Sequence, residues 1–130
     1  MVERAPYAYS ILRVIPHVER GECVNAGVVL YSRPRGFLGV RTGLDEARLL
    51  ALAPQVDIEG VRRQLRVLEL VAAGDPVGGQ IALLPPNERF GWMTAPASTI
   101  VQPGPVHGGC SEDPDSALEM LFKRLVLLPE

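Results

Sequence analysis

Between Tyr7 and Ile15 the side chains alternate, so that Tyr7, Tyr9, Ile11, Arg13 and Ile15 share one face of a strand and Ala8, Ser10, Leu12 and Val14 the other. Both faces are largely apolar. Pro16 stops this strand and Gly21 supports a turn. Glu22 to Tyr31, dense in Val24, Val28, Val29 and Leu30, then reads as a second strand. Arg33-Pro34-Arg35-Gly36 is the kind of turn that joins adjacent strands, and Phe37 to Thr42 follows as a third, shorter one. The amino-terminal third is predicted to be an antiparallel meander.

Beyond Gly43 the period changes. Asp45 can cap a short helix running to about Ala53, which Pro54 closes by excluding helical geometry from the residue before it. Asp57 caps the next helix. Ile58, Val61, Leu65, Leu68, Val71 and Ala72 recur at helical spacing there, while Glu59, Arg62, Arg63, Arg66 and Glu69 fall mainly elsewhere; Gly74 ends it. The apolar stretch Ile81 to Leu84 runs into Pro85-Pro86, which argues against a long helix. Ser98 to Gln102 alternates well enough for another strand, and Gln102 to Cys110, rich in glycine and proline, reads as a loop. Asp113 caps the last helix, Pro114 takes its first position, and Leu118, Leu121, Phe122, Leu125 and Val126 form its buried stripe up to about Leu128. These elements predict an α+β fold: an antiparallel sheet, built from the amino-terminal meander plus a late strand, packed by two amphipathic helices. A single domain spanning residues 1–130 is expected.

With 130 residues, 47% of them hydrophobic, one core is expected. A formal net charge of -2 provides no general basic field, which disfavours nucleic acid as a partner. The arginines of the Asp57 helix alternate with Glu59 and Glu69 in the manner of a solvated surface. Cys23 and Cys110 show no paired metal-ligand spacing, and a metal site would need His17 and His107 to converge on them from distant segments, so no metal is expected. No basic-then-apolar leader opens the chain. No apolar run approaches the roughly 20 residues that cross a bilayer. These features predict a cytoplasmic protein with reduced thiols and no membrane partner.

Several residues could carry chemistry. Arg13 and Glu22 lie on strands that a short hairpin would pair, which predicts a cross-strand ion pair; the alternative keeps both for a ligand. Asn25 is unusual inside a strand, where its amide needs partners, and it either holds a β-bulge with Gly27 or binds. His107 is the candidate general base or acid, with the hydroxyls of Ser98 and Thr99 nearby in sequence and Ser98 the candidate nucleophile. No G-x-S-x-G elbow frames that serine, however, so the competing expectation is hydroxyls that satisfy backbone and a histidine that pins its own loop. Arg89, Phe90 and Trp92 could form an arginine-and-aromatic surface or the edge of the core. Neither a phosphate-binding loop nor a dinucleotide fingerprint is present, and no cofactor is expected.

The same residues carry a resemblance. Tyr7, Tyr9 and Arg13 fit a Y-x-Y-x-x-x-R pattern, and Arg20, Gly21, Glu22, Asn25, Gly27 and Val28 fit R-G-E-x-x-N-x-G-V. Arg89, Phe90, Ser98, Thr99, Gln102, Pro105, Val106, His107 and Gly109 follow a late arginine-to-glycine signature. Together they resemble a small bacterial family, number 3037 among the domains of unknown function, which has no established activity. The chain departs from the pattern at Ala97, where an arginine is usual, and at Gly104, where a serine is usual. Members are often encoded beside a HipA-like kinase, the toxin class of some toxin-antitoxin modules. The resemblance therefore implies a non-enzymatic partner or regulator that binds such a kinase. The competing expectation is a small-ligand binder or enzyme whose site gathers Arg13, Glu22, Asn25, Arg89, Ser98, Thr99, Gln102 and His107. A homodimer in which the apolar strands pair edge to edge is compatible with either.

Overall fold

Strand β1, Ala5–Val14, lies at the centre of a five-stranded antiparallel sheet in the computed structural model, which describes residues 3–129. One edge of β1 pairs with β2, Val24–Ser32, which pairs in turn with β3, Phe37–Thr42. The other edge is shared by two short strands. Near its carboxyl end β1 pairs with β4, Val101–Pro103, and near its amino end with β5, His107–Ser111. Between them the chain bulges away, stitched to β1 by the Gly104 N–H on the Ile11 carbonyl at 2.7 Å and by the Ser10 hydroxyl on the Gly104 carbonyl at 2.8 Å.

The apolar character of both faces of β1 follows from helices on both sides. Helices α1, Glu46–Leu52, α2, Ile58–Ala73, and α3, Pro86–Met93, cover the face that holds Leu12, Val14, Val24 and Val29. Helix α4, Pro114–Leu125, covers Val28 and Leu30 on the opposite face. Asp45, Asp57 and Asp113 each accept a hydrogen bond from a first-turn N–H, at Arg48, Gly60 and Asp115, so all three act as caps. Gly74 closes α2 in the left-handed conformation at φ 71°. Val61, Leu65, Val71 and Ala72 of α2 and Ala117, Leu118, Leu121 and Phe122 of α4 are buried. Each fully buried aliphatic side chain of this kind contributes about 1.5–3 kcal/mol relative to exposure.

The fold departs from the expected elements at four places, the first being the late strand expected from Ser98, which starts only at Val101. A helix begins at Pro86 where prolines argued against a long one; it is short, and Pro86 occupies its first turn, where a missing N–H costs nothing. The run from Gln102 to Cys110 contains strand β5 in place of a continuous loop, so the sheet has two late strands. Glycine is tolerated in β5 because it is an edge strand over which a ring packs: a β-carbon on Gly109 would come within 2.5 Å of the Tyr7 ring. The second strand starts at Val24, after a short 3-10 turn at Val18–Arg20. β1 and β2 themselves lie inside the sheet and have no free edge, so edge-to-edge pairing of those apolar strands with a second copy is not open to this fold.

Candidate functional site

The pairing of β1 with β2 shifts register between Leu12 and Arg13: Leu12 stands opposite Gly27 but Arg13 opposite Asn25, leaving Ala26 as the extra residue of a β-bulge. On the other edge Arg13 stands opposite Gln102. Cross-strand partners share a face, so Asn25, Arg13 and Gln102 form a polar row across three strands on the α4 side of the sheet. Asn25 donates its amide to the Leu125 carbonyl at 2.9 Å and so anchors the end of α4. Along the same face, Tyr9 stands opposite His107 with ring centroids 5.5 Å apart, and Tyr7 follows at 6.1 Å from Tyr9.

Arg13 differs from the other residues of this row. Its Nε is buried and has no hydrogen-bond partner, the one such side-chain nitrogen or oxygen among the described residues. No ion pair among those residues includes it. The expected Arg13–Glu22 pair does not form: Glu22 lies beyond the start of β2 and pairs instead with Arg20, whose guanidinium it holds above its usual range, mainly through the hydrogen bond between them. The bulge puts Asn25, not Glu22, beside Arg13.

The remaining candidates are distributed elsewhere. Arg89 donates Nε to the Leu84 carbonyl at 2.9 Å and one terminal nitrogen to the carbonyls of Val71 and Ala72 at 2.9 and 2.8 Å. It ties α3 to the end of α2, where a helix leaves carbonyls without internal partners. Ser98 and Thr99 are exposed. Thr99 donates to the Val101 carbonyl and lines a cleft on the α2 face, whereas His107 lies with Tyr9 on the α4 face, so the structure does not join these hydroxyls to that imidazole. The arginines of α2 are engaged: Arg62 with Glu46 and Glu59, Arg63 with Asp57 and Arg66 with Glu69. Among the described residues no three His, Cys, Asp or Glu side chains gather into a metal-binding group. No helix there is long and apolar enough to cross a membrane.

The cleft beside Thr99 was not anticipated from the sequence. It has a volume of about 370 Å³ between α2, α3 and β4, and its walls include Leu12, Val67, Leu68, Trp92, Met93 and Pro103. Trp92 and Val67 are 43% and 41% exposed, unusual values for large apolar side chains facing one hollow. Ala97, where the resembled pattern carries arginine, also lines it and leaves it without a cation. The adjoining edge of β4 is closed to strand addition. The Val101 N–H donates to Gln64 Oε1, the Val101 carbonyl accepts from Thr99, and Pro103 has no N–H.

A five-stranded antiparallel sheet with helices on both faces makes this an α+β fold. The family model described as protein of unknown function (DUF3037) matches residues 9–126, and the chain belongs to that family. Searches of curated proteins and of solved structures return no match.

Proposed function

We propose that this chain acts by binding, as a non-enzymatic partner of a HipA-like kinase, and that the Trp92 cleft receives apolar side chains of that partner. The cleft carries this reading: an indole and a valine stand open to solvent on the walls of one apolar hollow, and covering them would remove that surface from water. A partly exposed tryptophan on the wall of an apolar hollow is a typical energetic anchor of a protein contact. Because the β4 edge is already satisfied, recognition would run through side chains entering the cleft and not through an added strand. The kinase as partner comes from the gene-neighbour association of the resembled family, not from the cleft.

The test is co-expression of the full chain with a HipA-like kinase encoded beside it, followed by co-purification in moderate salt. Near-equal recovery of both chains supports the reading, as does loss of the kinase from Val67→Asp protein that remains folded. Absence of association at micromolar concentration would overturn it.

A further inference from the structure

We infer that the outer edge of β3 pairs antiparallel with β3 of a second copy of this chain, joining two sheets into one about a two-fold axis at Val40. β3 ends the sheet on one side and β4, which walls the cleft, on the other, so this pairing leaves the cleft open in each copy. The inference does not rest on the kinase reading.

The direction of the backbone groups of β3 follows from its pairing with β2. The Gly43 N–H bonds the Ala26 carbonyl at 2.8 Å, and the register sets Arg41 opposite Val28 and Gly39 opposite Leu30. Along a strand, the N–H and C=O groups of alternate residues point to opposite sides. Phe37, Gly39 and Arg41 therefore turn theirs to β2, and Leu38, Val40 and Thr42 turn theirs outward. Among the described residues these outward groups have no hydrogen-bond partner; Thr42 reaches Glu69 through its hydroxyl and not through its backbone.

The other edge of the sheet is closed in ways that this one is not. On β4 the Val101 N–H and C=O are engaged by Gln64 and Thr99, and Pro103 has no N–H; on β5 the Cys110 carbonyl already accepts from Arg4 at 2.8 Å. β3 contains no proline and pairs with β2 in one unbroken register from Phe37 to Thr42. Leu38 and Val40 pack on the core beneath α2 and Phe37 on the core beneath α4, so both helices hold β3 by its faces. A regular edge strand of this kind, without a protective device, is a template for another strand.

A second copy is the occupant because the strand complements itself. With Val40 opposite its own counterpart, Leu38 meets Thr42 of the second copy on both sides of the axis, and every outward group gains a partner. Leu38 and Val40 are only half-buried in one chain, and the pairing covers them further. In the same register Arg41, the one charge of β3, stands opposite Gly39 of the second copy and not opposite itself, while keeping its own ion pair with Glu119. A shift of two residues towards the carboxyl end would set Arg41 against Arg41, which like-charge repulsion disfavours.

The experiment is sedimentation velocity of the full chain from micromolar to millimolar concentration, joined to amide exchange and to intermolecular NOEs in a mixture of labelled and unlabelled chains. The expected result is a shift with concentration from the 14.1 kDa chain to twice that mass, with slowed exchange at Leu38, Val40 and Thr42 in the larger species. Gly39 and Arg41 of different chains should show a contact between their α-protons, as residues of a non-hydrogen-bonded antiparallel pair do. Val40→Pro removes an outward N–H that bonds nothing within the chain, and should weaken association about tenfold or more while the monomer stays folded. If that variant fails to fold, the wild-type exchange and NOE results decide the matter. A monomer at every concentration would overturn the proposal and leave the edge to an extended segment of another protein. A dimer without slowed exchange at those three amides, or without the Gly39–Arg41 contact, would also overturn it, as would a folded Val40→Pro protein that associates as tightly as wild type.

Discussion

A β-carbon built on Gly104 would stand 3.4 Å from Nε of Arg13, so the one buried side-chain nitrogen without an acceptor among the described residues has an unfilled position directly beside it. Gly104 does not adopt a positive φ, and a side chain is conformationally permitted there. Serine, the residue of the resembled pattern at this position, would bring a hydroxyl oxygen within reach of Nε. Gly104→Ser is therefore expected to stabilise the fold by about 1 kcal/mol, the net value of one hydrogen bond to a previously unsatisfied buried donor. Urea unfolding of Gly104→Ser alone and in an Arg13→Gln background checks this. The gain should shrink by more than half without the arginine, and equal gains in both backgrounds would assign it to the backbone alone.

Arg89 should behave as a structural residue. Its contacts to the carbonyls of Leu84, Val71 and Ala72 hold α3 on the end of α2. Arg89→Ala leaves those carbonyls without the guanidinium and should cost about 2 kcal/mol or more in unfolding free energy. Arg89→Lys should recover little, because an ammonium cannot reach carbonyls on two separate segments with one fork. Recovery to the wild-type midpoint in the lysine variant would show that charge, not geometry, matters here.

Gly27 faces a close approach of backbone. A β-carbon there would lie 2.8 Å from the Arg41 carbonyl oxygen, and backbone cannot swing aside as a side chain can. Gly27→Ala should destabilise the fold by about 1–3 kcal/mol through forced displacement of β3 or the bulge. Thermal melts read this directly, and a melting temperature equal to wild type would contradict the tight β2–β3 approach.

Trp92 is expected to separate stability from binding. With 43% of its surface exposed, Trp92→Ala should lose much less than the 3–5 kcal/mol typical of a buried aromatic truncation, about 1 kcal/mol. Its effect on partner association should be larger than its effect on folding. A variant as unstable as a core truncation would place the indole in the core and remove the cleft from consideration.

Much of the fold was legible from local signals. The three aspartate caps, the terminating Gly74 and the apolar stripes of α2 and α4 are short-range features, and they predicted those helices and the α+β class. What failed depended on distant contacts. His107–Ser111 reads as a loop because its glycines become a strand only beneath Tyr7, whereas Pro85-Pro86, which argues against a long helix, is followed by a helix of only eight residues. The polar row was half legible. Alternation placed Arg13 on the face of Tyr9, and the oddity of Asn25 pointed to the bulge, but the one-residue shift that seats Asn25 in place of Glu22 beside Arg13 is set by pairing register. The cleft had no local signature, since its walls come from β1, α2, α3 and the segment before β4.

The proposal that this chain presents its cleft to a protein partner can be decided by isothermal titration of a purified HipA-like kinase with wild-type and Val67→Asp protein. A micromolar or tighter association is expected for the wild type, and its loss in the folded variant. Equal affinities for the two proteins, or no heat of binding with either, would contradict it.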